Sequence, residues 1–139
     1  PQPARCRRLE SALRELAERS TIPGGITTTL ESTAWPARFT PEHEHELLRI
    51  AQEAVSNAVR HARPQTIRIS MADDETHWAL SVTDDGIGLP DEPEISAQEG
   101  FGLTSMRERA GPIGAEWRIH SGRGAGTSVV VRIPKRSSP

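Results

Sequence analysis

The 139 residues suit one domain around one core, and 17 basic against 19 acidic residues leave a formal net charge of −2. That balance gives no overall field for a nucleic acid or an anionic membrane, so any anion site must be local. A single cysteine, Cys6, excludes an internal disulfide framework and fits a reducing, cytoplasmic setting, and no apolar run approaches a membrane span. The chain opens on Pro1 rather than Met, with no signal-peptide pattern, and reads as a piece of a longer protein.

From Ala4 to about Arg19, Leu9, Leu13, Leu16 and Ala17 recur at helical spacing among charges, which predicts an amphipathic helix that packs on the domain or continues upstream. The turn in TIPGG precedes alternating Ile26, Thr28 and Leu30, the pattern of a strand, with an edge position expected. Thr40-Pro41-Glu42 combines an N-cap residue, a proline for the first helical position and a first-turn acid, predicting a long helix to about Ala62, stopped by Arg63-Pro64. TIRISM and THWALSVT read as strands joined by a hairpin turn at Ala72-Asp73-Asp74-Glu75. LPDEPEISAQEG has no periodicity and reads as a mobile loop. A second helix starts near Gly102 and ends by Gly111-Pro112; strands follow around AEWRIHS and TSVVVRI, joined by GRGAG, and the tail from Pro134 to Pro139 is expected to be disordered. The order fits an α/β class, a two-layer sandwich with a mixed, mostly antiparallel sheet and helices on one face.

On the long helix, Leu47, Leu48, Ala51, Ala54, Val55, Ala58, Val59 and Ala62 form one broad apolar arc. Measured from Glu53, Asn57 lies about 40° and His61 about 80° around the axis, a slanting polar stripe at the border of that arc. Such a stripe reads either as solvated residues with local i,i+4 hydrogen bonds or as a carboxylate and an amide oxygen able to hold a hard cation with its water shell. VTDDGIGL, directly after a strand, is likewise open to two readings: a plain Asp-Gly turn, or a ligand contact at a strand's C-terminal end. In EGFGLTSMRERA, Gly100 and Gly102 bracket a turn into a helix whose free amides at Leu103, Thr104 and Ser105 face outward as phosphate donors. His43 and His45 read as solvated, with no third ligand evident for a metal, and His77 and His120 as strand surface residues.

Taken in order, EAVSNAVRHA, DDGIGL, GFGLTSMRERA and GRGAGTSVVVRIP resemble the N, G1, G2 and terminal Gly-Thr boxes of the ATP-binding catalytic domain of bacterial histidine kinases. That domain belongs to the group that includes gyrase, Hsp90 and MutL, and its layered fold is called the Bergerat fold. The Met-x-Glu-Arg helix after the second glycine box is similar to the nitrate-sensor and DesK-like subfamily. The resemblance implies ATP and Mg²⁺ as ligands, with Asn57 on the metal and Glu53 orienting or deprotonating the attacking group. It implies His61 and Arg60 beside the phosphates, Asp84 rather than Asp85 on the adenine amine, and Gly86 and Gly88 making room for the base. Gly100, Gly102 and the amides of Leu103 and Thr104 would cover the triphosphate, the loop from Leu89 to Glu99 would be the lid, and Thr127 would support Asp84. An ionised carboxylate accepts but cannot donate, which favours adenine's amine over guanine's carbonyl.

The resemblance divides the chain into residues 1–20, a helical linker from a dimerisation and phosphoacceptor domain; residues 21–134, the ATP-binding domain; and residues 135–139, a tail. The family phosphorylates a histidine on that preceding helical domain and relays the group to a response regulator. No matching acceptor sequence occurs here, so this piece is expected to be monomeric and half of a homodimeric kinase whose parent is membrane-anchored or soluble. After MRERA the family tends to Leu-Gly-Gly, where this chain has GPIGA, a departure in a turn rather than in the site. A protein serine kinase of the anti-sigma-factor type and a non-catalytic nucleotide-sensing module remain as alternatives.

Overall fold

The computed structural model describes residues 7–33, 35, 39–88, 102–122 and 124–135. Five strands form one sheet in the order β1-β2-β3-β5-β4. They are β1 (Thr27–Ser32), β2 (Thr66–Asp73), β3 (His77–Asp84), β4 (Glu116–Gly122) and β5 (Gly126–Pro134). Among the described residues, three α-helices, α1 (Arg7–Arg19), α2 (Pro41–Asn57) and α3 (Leu103–Ala110), accompany the sheet. β1 is an edge strand, as expected, and runs parallel to β2. The cause is the connection between them: α2 carries the chain back across the sheet, and such a crossover returns a strand in the same direction. The other neighbours are antiparallel, β2–β3 and β4–β5 being hairpins.

One face of the sheet is apolar along every central strand. Trp78, Leu80, Val82 and Asp84 of β3 alternate inward at period two, opposite Ile133, Val131, Val129 and Thr127 of β5. Asp84 and Thr127 thus continue two otherwise apolar rows at one end of the sheet. The helices lie over this face. Leu9, Leu13, Leu16 and Ala17 of α1 join the same buried cluster as Leu47, Ile50, Ala51, Ala54 and Val55 of α2 and Met106 and Ala110 of α3. α1 therefore packs on the domain. Leu48 and Val59 reach only the border of the core, and Ile50 takes the fully buried place that the helical arc had left to them.

α2 starts where the sequence points, with Thr40 Oγ1 accepting from the His43 amide and His43 Nδ1 accepting from the Thr40 amide, both at 3.1 Å. His43 is thereby a capping residue. The helix does not run unchanged to Ala62 as expected: regular α geometry ends at Asn57, and Ala58–Ala62 form a π turn. The stop itself is local. Pro64 has no amide to continue the ladder and Arg63 takes a left-handed conformation at φ 49°. The Ala62 carbonyl, last of the turn and without an intrahelical donor, accepts from the Ile87 amide at 2.8 Å. The β2–β3 turn is displaced from the expected 72–75 to 74–76, because Asp74 Oδ1 accepts from the amides of both Thr76 and His77, at 2.8 and 2.7 Å. These contacts hold the Asp74 carboxyl down to about 2, the Thr76 amide contributing most.

Candidate functional site

Three of the expected site residues, Asn57, Asp84 and Thr127, meet in a cleft at the end of β3. Ala54, Asn57, Ala58, Ala62, Val82, Asp84, Ile119, Thr127 and Val129 line a cleft of about 320 Å³, a volume that includes its open mouth. The α2 side of the cleft is small because alanines stand at 54, 58 and 62, so the helix keeps its distance from the sheet by one side-chain layer. The polar groups come from both sides, Asp84 and Thr127 from the sheet and Asn57 from the end of α2. Asp84 and Asn57 are each 8% exposed, the most buried polar side chains of this end of the molecule, and they face one another across apolar walls.

The two neighbouring aspartates part company here. Asp84 ends β3 on the helix-facing side, and its Oδ1 accepts from the Gly86 amide at 2.8 Å. Burial pushes its carboxyl above the ordinary carboxylate range, opposed in part by the amides of Gly86 and Thr127. Asp85 points to the other side, is exposed, and accepts from the amides of Gln65 at 2.8 Å and Thr66 at 2.9 Å. Those amide bonds, Thr66 foremost, hold its carboxyl below the ordinary range. Asp85 therefore clamps the start of β2 through two long-range amide bonds, while Asp84 closes a local Asx turn with Gly86 and lines the cleft.

The glycines of DDGIGL allow close backbone approach. A Cβ on Gly86 would fall 2.2 Å from the Ala62 carbonyl oxygen, and one on Gly88, which also has φ +82°, would fall 2.3 Å from the Gly122 carbonyl oxygen. The loop is thus wedged between the end of the π turn and the β4–β5 turn, with Gly124 donating to the Ile87 carbonyl at 2.9 Å. Thr127 Oγ1 lies 2.9 Å from Ser121 Oγ, across the β4–β5 pair.

Glu53 sits one turn before Asn57, half-buried, with its carboxyl against Gly102, the N-cap of α3. Arg60 is exposed, and its Nη2 donates to Asn57 Oδ1 at 3.4 Å; His61 is half-buried on the π turn. At α3, Leu103 turns its side chain toward the core and Thr104 is exposed, leaving their backbone amides as the contribution of that turn. Arg109 Nη1 to Glu46 Oε1 at 3.2 Å fixes α3 to α2, and the Arg107 guanidinium stacks 5.3 Å above the Trp117 ring. Gly100 and the expected lid, Leu89 to Glu99, lie outside the described residues. Ile119, Val129 and the three alanines were not foreseen as site residues; the alanine spacing of four along the helix was the available signal.

A buried carboxylate and a buried amide thus line one apolar cleft, and the comparisons give the class of protein. Residues 42–137 match the family described as histidine kinase-, DNA gyrase B-, and HSP90-like ATPase, and the chain belongs to that ATP-binding family. The sensor histidine kinase YhcY of Bacillus subtilis is 36% identical over 99 residues, 71% of this chain and 26% of its own length. The nitrate/nitrite sensor protein NarX of Escherichia coli K12 is 31% identical over 131 residues, 93% of this chain and 21% of its own. The chain thus spans about a quarter of the length of these relatives. In fold, it is similar to the blue-light activated histidine kinase of Erythrobacter litoralis EL346, with TM-score 0.71 and 23% identity over 91% of this chain and 39% of that one. The histidine kinase AdeS of Acinetobacter baumannii gives TM-score 0.76 at 14% identity, covering 98% of this chain and 68% of that one. Among the described residues no helix is long and apolar enough to cross a membrane.

Proposed function

We propose that the chain is the catalytic domain of a two-component sensor histidine kinase, which binds ATP and moves its γ-phosphoryl group to a histidine on a dimerisation domain N-terminal to α1. The observation that carries this reading is the buried Asp84 carboxylate at the end of an apolar cleft shared with Asn57. A flat heteroaromatic ring fits the apolar walls, and an exocyclic amine fits an acceptor that cannot itself donate. Adenine carries that amine, whereas guanine presents a carbonyl at the equivalent position.

In this reading Asp84 accepts from the adenine amine, with Thr127 beside it on β5. Gly86 and Gly88 bring the loop backbone close to the base. The amides at Gly102, Leu103 and Thr104 point donors at phosphate oxygens, together with the neighbouring Gly100, and Arg60 and His61 flank the phosphates from the π turn. Asn57 offers an amide oxygen of the hard type that Mg²⁺ takes, and the ion supplies charge neutralisation for the transferring group. Glu53 orients the attacking imidazole and takes its proton as the nitrogen bonds to the γ-phosphorus and the bond to ADP breaks. No protein nucleophile on this chain is needed, since positioning and charge stabilisation carry phosphoryl transfer. The acceptor domain, the response regulator it serves, and a homodimeric parent working on the cytoplasmic side belong to the same proposal. The kinase names of the curated relatives favour it over a serine kinase or a non-catalytic sensor.

Calorimetric titration of ATP and GTP, with and without Mg²⁺, tests the reading on the native chain and on Asp84→Asn. Binding of ATP in preference to GTP, strongly weakened by the substitution, is expected. Undiminished binding by the variant sinks the adenine assignment, and failure of the native chain to phosphorylate a supplied acceptor domain sinks the kinase assignment.

A further inference from the structure

The surroundings of Gly102 point to a task other than contact with a ligand. A Cβ built on this residue would lie 2.3 Å from Glu53 Oε1, 2.7 Å from Cδ and 2.8 Å from Cγ. The carboxyl end of Glu53 therefore occupies the space that any side chain at 102 would need. Glu53 comes from the interior of α2, where Ala54 and Val55 beside it are buried, so the helix cannot retreat and only the Glu53 side chain can yield. The opposite wall is equally fixed, because α3 is anchored by buried Met106 and Ala110 and by the Arg109 to Glu46 pair. The N-cap of α3 has no side-chain capping bond of its own, and a carboxylate beside its first turn meets the positive end of the helix dipole.

We propose that Gly102 is a positioning residue for Glu53: the missing side chain forms the seat in which the carboxylate is held between α2 and α3. The functional part of this inference rests on the reading of Glu53 as the group that prepares the attacking imidazole. Glycine at 102 then serves the reaction through Glu53, separately from any amide contact to phosphate.

A double-mutant cycle in urea unfolding tests the seat on the chain itself, with Gly102→Ala made in the native background and in Glu53→Ala. At φ +63° an alanine is strained in both backgrounds, but only the native one adds the clash with the carboxyl group. Because the far end of the Glu53 side chain can swing aside, the substitution is expected to lower the folding equilibrium constant about twofold to threefold more with Glu53 present than with it removed. If Gly102→Ala alone does not fold, recovery of folding in the double variant is the supporting result, and failure of both variants to fold overturns the proposal, as do equal costs in the two backgrounds. In the parent kinase, Gly102→Ala is expected to lower phosphoryl transfer at saturating ATP by about tenfold while KM for ATP moves less than about threefold. A raised KM with an unchanged maximal rate overturns the positioning role in favour of phosphate contact. An unmutated parent that transfers no phosphoryl group refutes the kinase reading by itself, and the unfolding cycle still decides whether the seat exists.

Discussion

Replacing Gly86 by alanine tests how the loop after β3 is held. A Cβ there would fall 2.2 Å from the Ala62 carbonyl oxygen and 2.7 Å from the Ala62 Cβ, atoms that belong to the end of a packed helix and cannot rotate away. The loop must move instead, and two hydrogen bonds go with it: the Gly86 amide to Asp84 Oδ1 and the Ile87 amide to the Ala62 carbonyl, both at 2.8 Å. Overpacking costs about 1–3 kcal/mol. Each lost hydrogen bond adds about 1 kcal/mol, bringing the total to about 3–5 kcal/mol against the roughly 5–15 kcal/mol that holds a domain folded. Gly24→Ala is the control, since Gly24 has φ +77° but no atom within 4 Å of the added carbon. Its cost is conformational strain alone, about 1–2 kcal/mol. Urea unfolding of the two variants measures the difference, and nucleotide titration of each shows whether the loop shift reaches the site. Gly86→Ala is expected to cost at least about twice as much as Gly24→Ala and to weaken ATP binding while Gly24→Ala does not. Equal costs, or undisturbed binding in Gly86→Ala, would refute the idea that the Ala62 carbonyl sets the loop.

Burial raises the Asp84 carboxyl above its ordinary value, so the stability this group contributes is present below the unfolded carboxylate pKa and is lost as pH rises through the raised folded value. Asp84→Asn is therefore expected to raise the melting temperature at neutral pH by roughly 3 °C while removing ATP binding, and a lowered melting temperature contradicts the burial argument. Asp85→Ala frees the amides of Gln65 and Thr66 and is expected to cost about 1–2 kcal/mol in urea unfolding, with ATP affinity kept within about a factor of three. A variant that loses nucleotide but not stability would reverse the roles of the two aspartates. Asp74 has the opposite sign to Asp84: its folded pKa is depressed to about 2 from 3.8, so its stabilisation is present above the unfolded value and is lost as pH falls between the two. Asp74→Ala is expected to be less stable than the native chain at neutral pH, with the gap in melting temperature closing across that acid window.

The strands were legible because a sheet with one buried face writes its pairing into alternate residues, as in Trp78, Leu80 and Val82. The start of α2 was legible because its cap, proline and acids are neighbours in sequence. What escaped the sequence depends on partners distant in the chain. Asp84 was singled out over Asp85, but the partners of Asp85 were not foreseen: the pleat sends it to the amides of Gln65 and Thr66, some twenty positions away. The partner of the helix's last carbonyl is equally non-local, since Ala62 accepts from the Ile87 amide. Both departures meet at DDGIGL, which the structure ties to the helix through Ala62 and to the β4–β5 turn through Gly88 and Gly124. In that loop the missing side chains let backbone touch backbone on two sides, at Gly86 and at Gly88. Small residues at 54, 58 and 62 act in the same way on the helix side, making a site by what they leave out. The same principle links Gly102 to Glu53, so three of the site's elements are built from absent side chains whose necessity appears only when the packing partner is known.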